Sequence, residues 1–392
     1  MKYYTKSLVG IAASALLLLM AVGCSQQEGD PIKIGFVGAI SGQSAISGQS
    51  ITRGLRVAMD EINADGGVLN RELELVRRDD QSNPGKGVAA ARELIFKEDV
   101  ATFFGGIDSP VSLAIVPLIN KEGVPFMDPW AAATGITRNG AEPNYAFRVS
   151  AMDALVDRKL MDYAQTKHGA DKVGLMLINN PWGESNEKGL KAAAADMDAE
   201  IVGVETFGGD DVDMVSQLTR LREAGAESLI LVSNVKPAAQ MIKSMDRMEW
   251  DVPVVSHWGI SGGRFRELAG PTAEKVHFVQ TYSFYGDLDS DGQRVLSALK
   301  SKYDDIDGPG DVVAPVGTAN AYDALHIVAR GIEKAGSTDH DAIRKAMENL
   351  ETYDGLIKTY DPPFTSDDHD ALGPEDYIMV RFNADGEIVP VN

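Results

Sequence analysis

The chain has 392 residues and a formal charge of −21, with 37 Lys and Arg against 58 Asp and Glu. Such a field repels nucleic acid and anionic lipid headgroups, so neither is expected as a partner. One cysteine excludes an internal disulfide, and 44% apolar content at this length allows large cores that default to two lobes.

In chain order the first feature is a leader. Lys2 and Lys6 precede an apolar run from Leu8 to Val22, and small residues lead into Cys24. Basic start, apolar middle and small-residue end are the layout of a secretory signal, here residues 1–23. The run is shorter than the ~20 apolar residues that span a bilayer. A cysteine just past the cleavage point resembles the bacterial lipobox, although Ala21 stands where leucine is usual. That resemblance implies lipidation of Cys24 and a tether over 24–31, with the membrane met through this anchor alone. An ordinary cleaved signal with a chance cysteine is the alternative.

Beyond the tether, apolar runs of strand length alternate with helical periodicity. Residues 33–40 form a short apolar run closed by glycine and serine, which predicts a buried parallel strand. A Gly/Ser loop is expected over 41–50. From Thr52 onward, Leu55, Ala58, Met59 and Ile62 recur at helical spacing, and Asn63-Ala64-Asp65-Gly66-Gly67 stops that helix. Strands are predicted next at 73–76, 101–104, 124–127 and 145–149, with a helix near 87–97. A second series has strands at 173–178, 201–206, 228–232, 252–256 and 276–281, with helices between most of them. A long helix over 320–335 ends at Gly336, and another starts near 337–339. The acidic patch 367–370 reads as a solvated loop, and the tail as a hairpin of 377–382 and 388–391. Two strand–helix series predict an α/β protein of two lobes with mostly parallel sheets.

Several of these segments resemble a known family. They are Gly42…Gly48…Gly54, Asp60-Glu61-Ile62-Asn63-Ala64-Asp65-Gly66-Gly67, Leu73-Glu74-Leu75 and Asp79-Asp80. Late in the chain come Ala321-Tyr322-Asp323-Ala324-Leu325 and Lys334-Ala335-Gly336-Ser337-Thr338. The chain resembles type I periplasmic binding proteins, in particular the leucine/isoleucine/valine-binding set of ABC importers. The resemblance implies two Rossmann-like lobes joined by a three-crossover hinge near 147–150, 279–282 and 353–361. Lobe I is then 32–148 plus 281–354, and lobe II is 149–280 plus 355–392. It further implies a monomer facing the periplasm or cell exterior, with permease and ATPase subunits as partners.

In open α/β sheets ligands bind outside the carboxyl ends of the strands. The strand at 101–104 runs into Gly105-Gly106-Ile107-Asp108-Ser109-Pro110, where Ser109 is an expected N-cap and Pro110 an expected first helical residue. Exposed N–H groups and the dipole there suit a carboxylate. By the resemblance, Ser109 takes the place of the serine that binds the ligand carboxylate. Ala131 and Ala132, after the strand at 124–127, then replace a main-chain contact and a threonine. Trp182 stands for a ligand-covering tyrosine, and Trp258 for the glutamate that meets an α-ammonium. Asp108 is a charge that relatives lack there, and it could substitute for that glutamate. Trp130, Trp182 and Trp258 all follow strand ends, as aromatic walls would. Ser47, Ile107, Val235 and Tyr282 (or Phe284) complete the candidate lining. The expected ligand has a carboxylate and an apolar or aromatic body: a branched-chain or other apolar amino acid, or a related carboxylate.

Enzymatic chemistry finds no support in these residues. The six histidines show no metal spacing, and no cofactor motif is present. Gly259-Ile260-Ser261-Gly262-Gly263 matches GxSxG, but Ser261 lies five residues past the predicted strand end, whereas a nucleophile elbow sits on the turn itself. His257 reads as a polar cleft residue. A sensor or regulatory lipoprotein of the same fold, uncoupled from transport, is the alternative to import.

Overall fold

The computed structural model describes residues 29–391; the leader and Cys24 lie outside the described residues. The first sheet contains β1 (Ile32–Gly38), β2 (Leu73–Asp79), β3 (Thr102–Gly105), β4 (Phe126–Asp128) and β5 (Ala146–Arg148). Its order is β2-β1-β3-β4-β5, and every pair is parallel. Next come β6 (Lys172–Ile178), β7 (Glu200–Phe207), β8 (Ser228–Val232), β9 (Val254–Ser256) and β10 (Val276–Gln280). A two-stranded ribbon, β11 (Tyr353–Asp354) with β12 (Thr359–Tyr360), precedes β13 (Ile378–Phe382) and β14 (Ile388–Pro390). The second sheet runs β14-β13-β10-β9-β8-β6-β7, parallel except for the tail hairpin at one edge. The central strands β1, β3 and β8 are buried almost throughout, as parallel strands covered on both faces must be.

Helices cover both sheets. They are α1 (Ala45–Ala64), α2 (Pro84–Glu93), α3 (Ser109–Glu122), α4 (Asp153–His168), α5 (Pro181–Asp196), α6 (Val215–Glu223) and α7 (Val235–Arg247). The remainder are α8 (Phe265–Ala269), α9 (Ser290–Lys302), α10 (Pro315–Ala335) and α11 (His340–Met347). No described helix is long and apolar enough to cross a membrane. The polypeptide passes between sheets after β5, after β10 and again before β13. In the middle passage α9 and α10 pack back against α1.

The structure begins α1 at Ala45, so the stretch expected as a Gly/Ser loop is largely its first two turns. The glycines are there for packing. A Cβ on Gly48 would sit 2.0 Å from the Ala39 carbonyl oxygen, and one on Gly54 would sit 2.2 Å from that of Thr318 in α10. The Ala321–Leu325 motif also acquires a reason. Asp323 accepts hydrogen bonds from Leu356 N–H, Ile357 N–H and Tyr360 O–H at 2.7–2.9 Å, and so closes the β11–β12 turn.

The acidic patch 367–370 is solvated only in its first half: Asp367 and Asp368 are exposed, whereas the His369 and Asp370 side chains are buried. Arg148, fully buried at the end of β5, donates from Nε to Asp370 Oδ1 at 2.6 Å. Residue 370 bridges to 148 in parallel register, with Arg148 N–H on His369 O at 2.9 Å and Ala371 N–H on Arg148 O at 3.0 Å. A buried guanidinium requires a carboxylate at that point. Arg148→Met should cost roughly 3 kcal/mol, the low end for breaking a buried pair, because Asp370 keeps Thr137 O–H and the partly exposed Arg138, whose Nε lies 3.3 Å from its Oδ2. Urea unfolding of Arg148→Met and of the Arg148→Met/Asp370→Leu double variant checks this. The double variant should recover most of the loss.

Candidate ligand-binding site

The loops that leave the carboxyl ends of the two sheets face each other. From the first sheet come Ile107, Asp108, Ser109 and Pro110 after β3, and Trp130, Ala131 and Ala132 after β4. From the second come Asn180 and Trp182 after β6, Asn234 after β8, and Trp258 after β9. Together they enclose a space of about 20 Å³. It is small because Trp130 and Trp258 meet across it, with ring centroids 5.8 Å apart.

Helix α3 starts at Ser109, with Asp108 as its N-cap residue, one position earlier than the sequence suggests. Pro110 has no N–H, and Val111 and Ser112 donate back to the Asp108 carbonyl at 2.8 and 3.3 Å. The Ser109 N–H is therefore the uncommitted donor of this first turn. Ser109 Oγ accepts from Ala133 N–H at 3.2 Å, which leaves its own proton free. The neighbouring loop is folded around Asp128. Its Oδ1 accepts from Trp130 N–H at 3.0 Å and Ala131 N–H at 2.7 Å, and its Oδ2 from Ser112 O–H at 2.6 Å. Burial pushes this carboxyl up to about 7, against those donors and the Arg148 charge. Ala132 lies between these anchored positions, and its carbonyl accepts from Asp153 N–H at 2.7 Å.

The indoles are seated firmly. Trp182 Nε1 donates to Asp153 Oδ1 at 3.2 Å, and His257 Nε2 reaches the same oxygen at 3.1 Å. His257 Nδ1 accepts from Trp258 N–H at 2.8 Å, so Nε2 carries the ring proton toward Asp153. His257 and Asp153 are fully buried behind the aromatic wall, and neither lines the space. A Cβ on Gly259 would lie 2.7 Å from Trp182 Cη2, and one on Gly317 would lie 3.1 Å from Trp130 Cζ3.

Three carboxylates gather at the β2 and β3 ends. Asp79 is held low by Ser41 O–H and the N–H groups of Ile40, Ser41 and Gln81, which outweigh its slight burial. Asp80 is 1% exposed, and its Oδ2 has no hydrogen-bond partner among the described residues. Burial, with the Asp108 and Asp79 charges, pushes it up to about 6. Burial also raises Asp108, whose carboxylate accepts from Ser44 O–H at 3.0 Å and from Asn234 Nδ2 at 3.4 Å across the cleft.

Eight of the candidate residues thus converge, and three do not. Ser47 is on α1, where its Oγ sits 2.5 Å from the position of a Gly262 Cβ, and it touches the opposite lobe rather than the space. Val235 opens α7 and packs near Gly263; the residue before it, Asn234, is the one that lines the space. Tyr282 turns away with the chain toward α9, onto Phe284 at 5.0 Å. Asn180 and Asn234 were missing from the candidates. Both precede helix starts, the same signal that marked Ser109. Ser261 Oγ donates to Trp258 O at 2.7 Å inside a buried helical turn, so the GxSxG match is a structural serine.

Two parallel sheets whose carboxyl-end loops meet around a polar and aromatic space define a two-lobed α/β binding protein. The family model described as periplasmic binding protein matches residues 31–387, and the chain belongs to that family. A Leu/Ile/Val-binding protein homolog 3 from Brucella melitensis is 23% identical over 377 residues, covering 96% of this chain and 98% of that one. A periplasmic binding protein type 1 from Bordetella pertussis superposes with a TM-score of 0.84 at 24% identity, over 92% of this chain and all of the other. The branched-chain amino acid transporter substrate binding protein LivJ from Streptococcus pneumoniae, in complex with isoleucine, has a TM-score of 0.77 at 25% identity, with 92% and 100% covered.

The Asp80 shift has a sign that can be measured. Its folded pKa of about 6 lies above the ordinary 3.8, so ionisation opposes folding. That cost is absent below the lower value, grows between the two and is constant above the upper one. Asp80→Asn keeps an acceptor for Ser82 N–H and removes the cost. Its stability gain should be near zero at about pH 4 and reach roughly 2–3 kcal/mol at about pH 7.5. Urea midpoints at both pH values provide the check.

Proposed function

We propose that this chain is the extracytoplasmic substrate-binding lipoprotein of an ABC importer. Its ligand is a branched-chain or other apolar amino acid, or a related apolar or aromatic carboxylate. The observation that carries the reading is the free Ser109 N–H and O–H at the start of α3, facing indoles from both lobes. A helix N-terminus with uncommitted donors holds a carboxylate, and buried indoles cover an apolar body. Ile107, Ala131 and Ala132 supply the adjoining backbone. Relatives named for leucine, isoleucine and valine, and a neighbour holding isoleucine, support the ligand class.

The mechanism is hinge closure. The moving units are 32–148 plus 281–354 and 149–280 plus 355–392, each bringing one wall of the site. Opening must part Trp130 from Trp258, Asp108 from Asn234, and Thr134 N–H from Ser185 Oγ at 3.1 Å. A ligand that touches both walls shifts the population toward the closed form. The closed form is delivered by a monomer, anchored through Cys24 on the periplasmic or outer face, to permease and ATPase subunits. Binding alone accomplishes this, without chemistry on the ligand.

Ser109→Ala should weaken carboxylate ligands by roughly 1–3 kcal/mol, the range for a hydrogen bond to a charged group. Isothermal titration with leucine, isoleucine, valine and phenylalanine, and with their deaminated acids, measures it. Unchanged affinity across the panel would remove Ser109 from the site.

A further inference from the structure

We infer that the chain carries a second binding site, outside the cleft between the sheets, for a small oxyanion of two or more charges. The site lies beside the first sheet, where α1 runs between the edge strand β2 and the end of α9. Gln49, Thr52, Arg53 and Arg56 reach it from α1, Arg77 from β2, and Tyr303 from the residue after α9, around a cavity of about 430 Å³. That volume falls within the range of small-molecule sites. The cavity shares no lining residue with the space around Ser109.

Its charge is the reverse of the chain's. Three arginines line the cavity and no Asp or Glu does, in a protein with 58 acids against 37 Lys and Arg. The acids of the neighbouring elements are committed elsewhere. On α1, Asp60 pairs with Lys302 and Glu61 with Arg294. Asp79, two residues past Arg77, is held by Ser41 O–H and Ile40 N–H, and Arg78 takes Glu93 and Glu98. Among the described residues neither the Arg56 nor the Arg77 guanidinium has a hydrogen-bond partner. Arg53 meets Asp305 through Nη2 at 2.6 Å and lies over the Tyr303 ring at 4.6 Å. Its Nε is buried with no acceptor among the described residues, and Tyr303 Oη is buried with no partner among them.

A buried acid can take up a proton, but an arginine has no such route to neutrality. Where water is partly excluded, its charge favours an anion, and the forked N–H groups fit the paired oxygens of phosphate or carboxylate. Two uncompensated guanidiniums match two negative charges. Arg56 is exposed, and Arg77 and Tyr303 are half-buried, so the anion enters from solvent. At physiological salt, exposed acids more than ~8 Å away are largely screened, and the local arginines set the field.

Isothermal titration of the purified protein with pyrophosphate, citrate and inorganic phosphate, at an ionic strength held constant with sodium chloride, is the test. At least one of these anions should bind one to one with a dissociation constant of ~1 mM or tighter. Arg77→Gln and Arg56→Gln should each weaken it by ~10-fold, as loss of a hydrogen bond between charged groups does. Arg56 is exposed, so its variant serves if Arg77→Gln melts early. Tyr303→Phe should weaken binding by a smaller factor, and Ser109→Ala should leave it unchanged. Binding of none of the anions, or equal binding by the parent and both arginine variants, would overturn the site. Binding lost in Ser109→Ala but kept in the arginine variants would overturn it too, by placing the anion in the cleft.

Discussion

Arg148 brings a permanent charge into a place that water does not reach, and much of the first lobe's binding face follows from satisfying it. Nε takes Asp370, Nη1 takes the Ala133 carbonyl at 2.9 Å, and Nη2 takes Thr137 Oγ1 at 2.8 Å. Thr137 donates in turn to Asp370. The loop from 129 to 137 is thereby clamped from below by a guanidinium and from within by Asp128. Its carbonyls and N–H groups are largely assigned before any ligand arrives. Preorganisation of this kind matters because donors already in place need not be ordered at the moment of binding. The same arginine holds the returning segment near 370, so one side chain joins the binding loop to the crossover that leads into the tail strands.

The two walls of the cleft are chemically unlike. The first-lobe wall is built from a helix start, committed backbone and buried acids. The second-lobe wall is largely indole, held from behind by Asp153 and His257. The net charge of −21 says nothing about this division. Donors at the start of α3 and the acids at the β2 and β3 ends act at short range, where the global field is a small term.

The strands were readable because parallel strands buried on both faces are written as unbroken apolar runs, as at β1, β6 and β8. The position of the site was readable for a related reason. Strand ends are visible in the sequence, and the residues that follow them, Ser109, Trp130, Trp182 and Trp258, are where the loops meet. Legibility failed where the cause was distant. Gly48 and Gly54 looked like a loop because their packing partners, the 39 carbonyl and α10, are not local in the pattern. Asp370 looked solvated because its partner is Arg148, more than two hundred positions earlier. Val235 was chosen over Asn234 because a helix start is placed only to within a residue or so from sequence. Tyr282 was expected at the cleft because β10 was treated like its neighbours, yet β10 leads out of the sheet toward α9.

Glycines behind the aromatic wall give the site an adjustable depth. Gly259 backs Trp182 nearer than a methyl group would allow, and Gly317 backs Trp130 in tight contact. A single carbon added at Gly259 would crowd the Ser233 carbonyl at 2.4 Å as well as Trp182, and one at Gly317 would crowd Ser50 Oγ at 2.9 Å as well as Trp130, so either would disturb the seat of an indole without altering any residue that lines the space. The shape of the space can thus change through substitutions hidden one layer down. Two proteins with identical linings could then differ in the solutes they accept, and a comparison of lining residues alone would miss the reason.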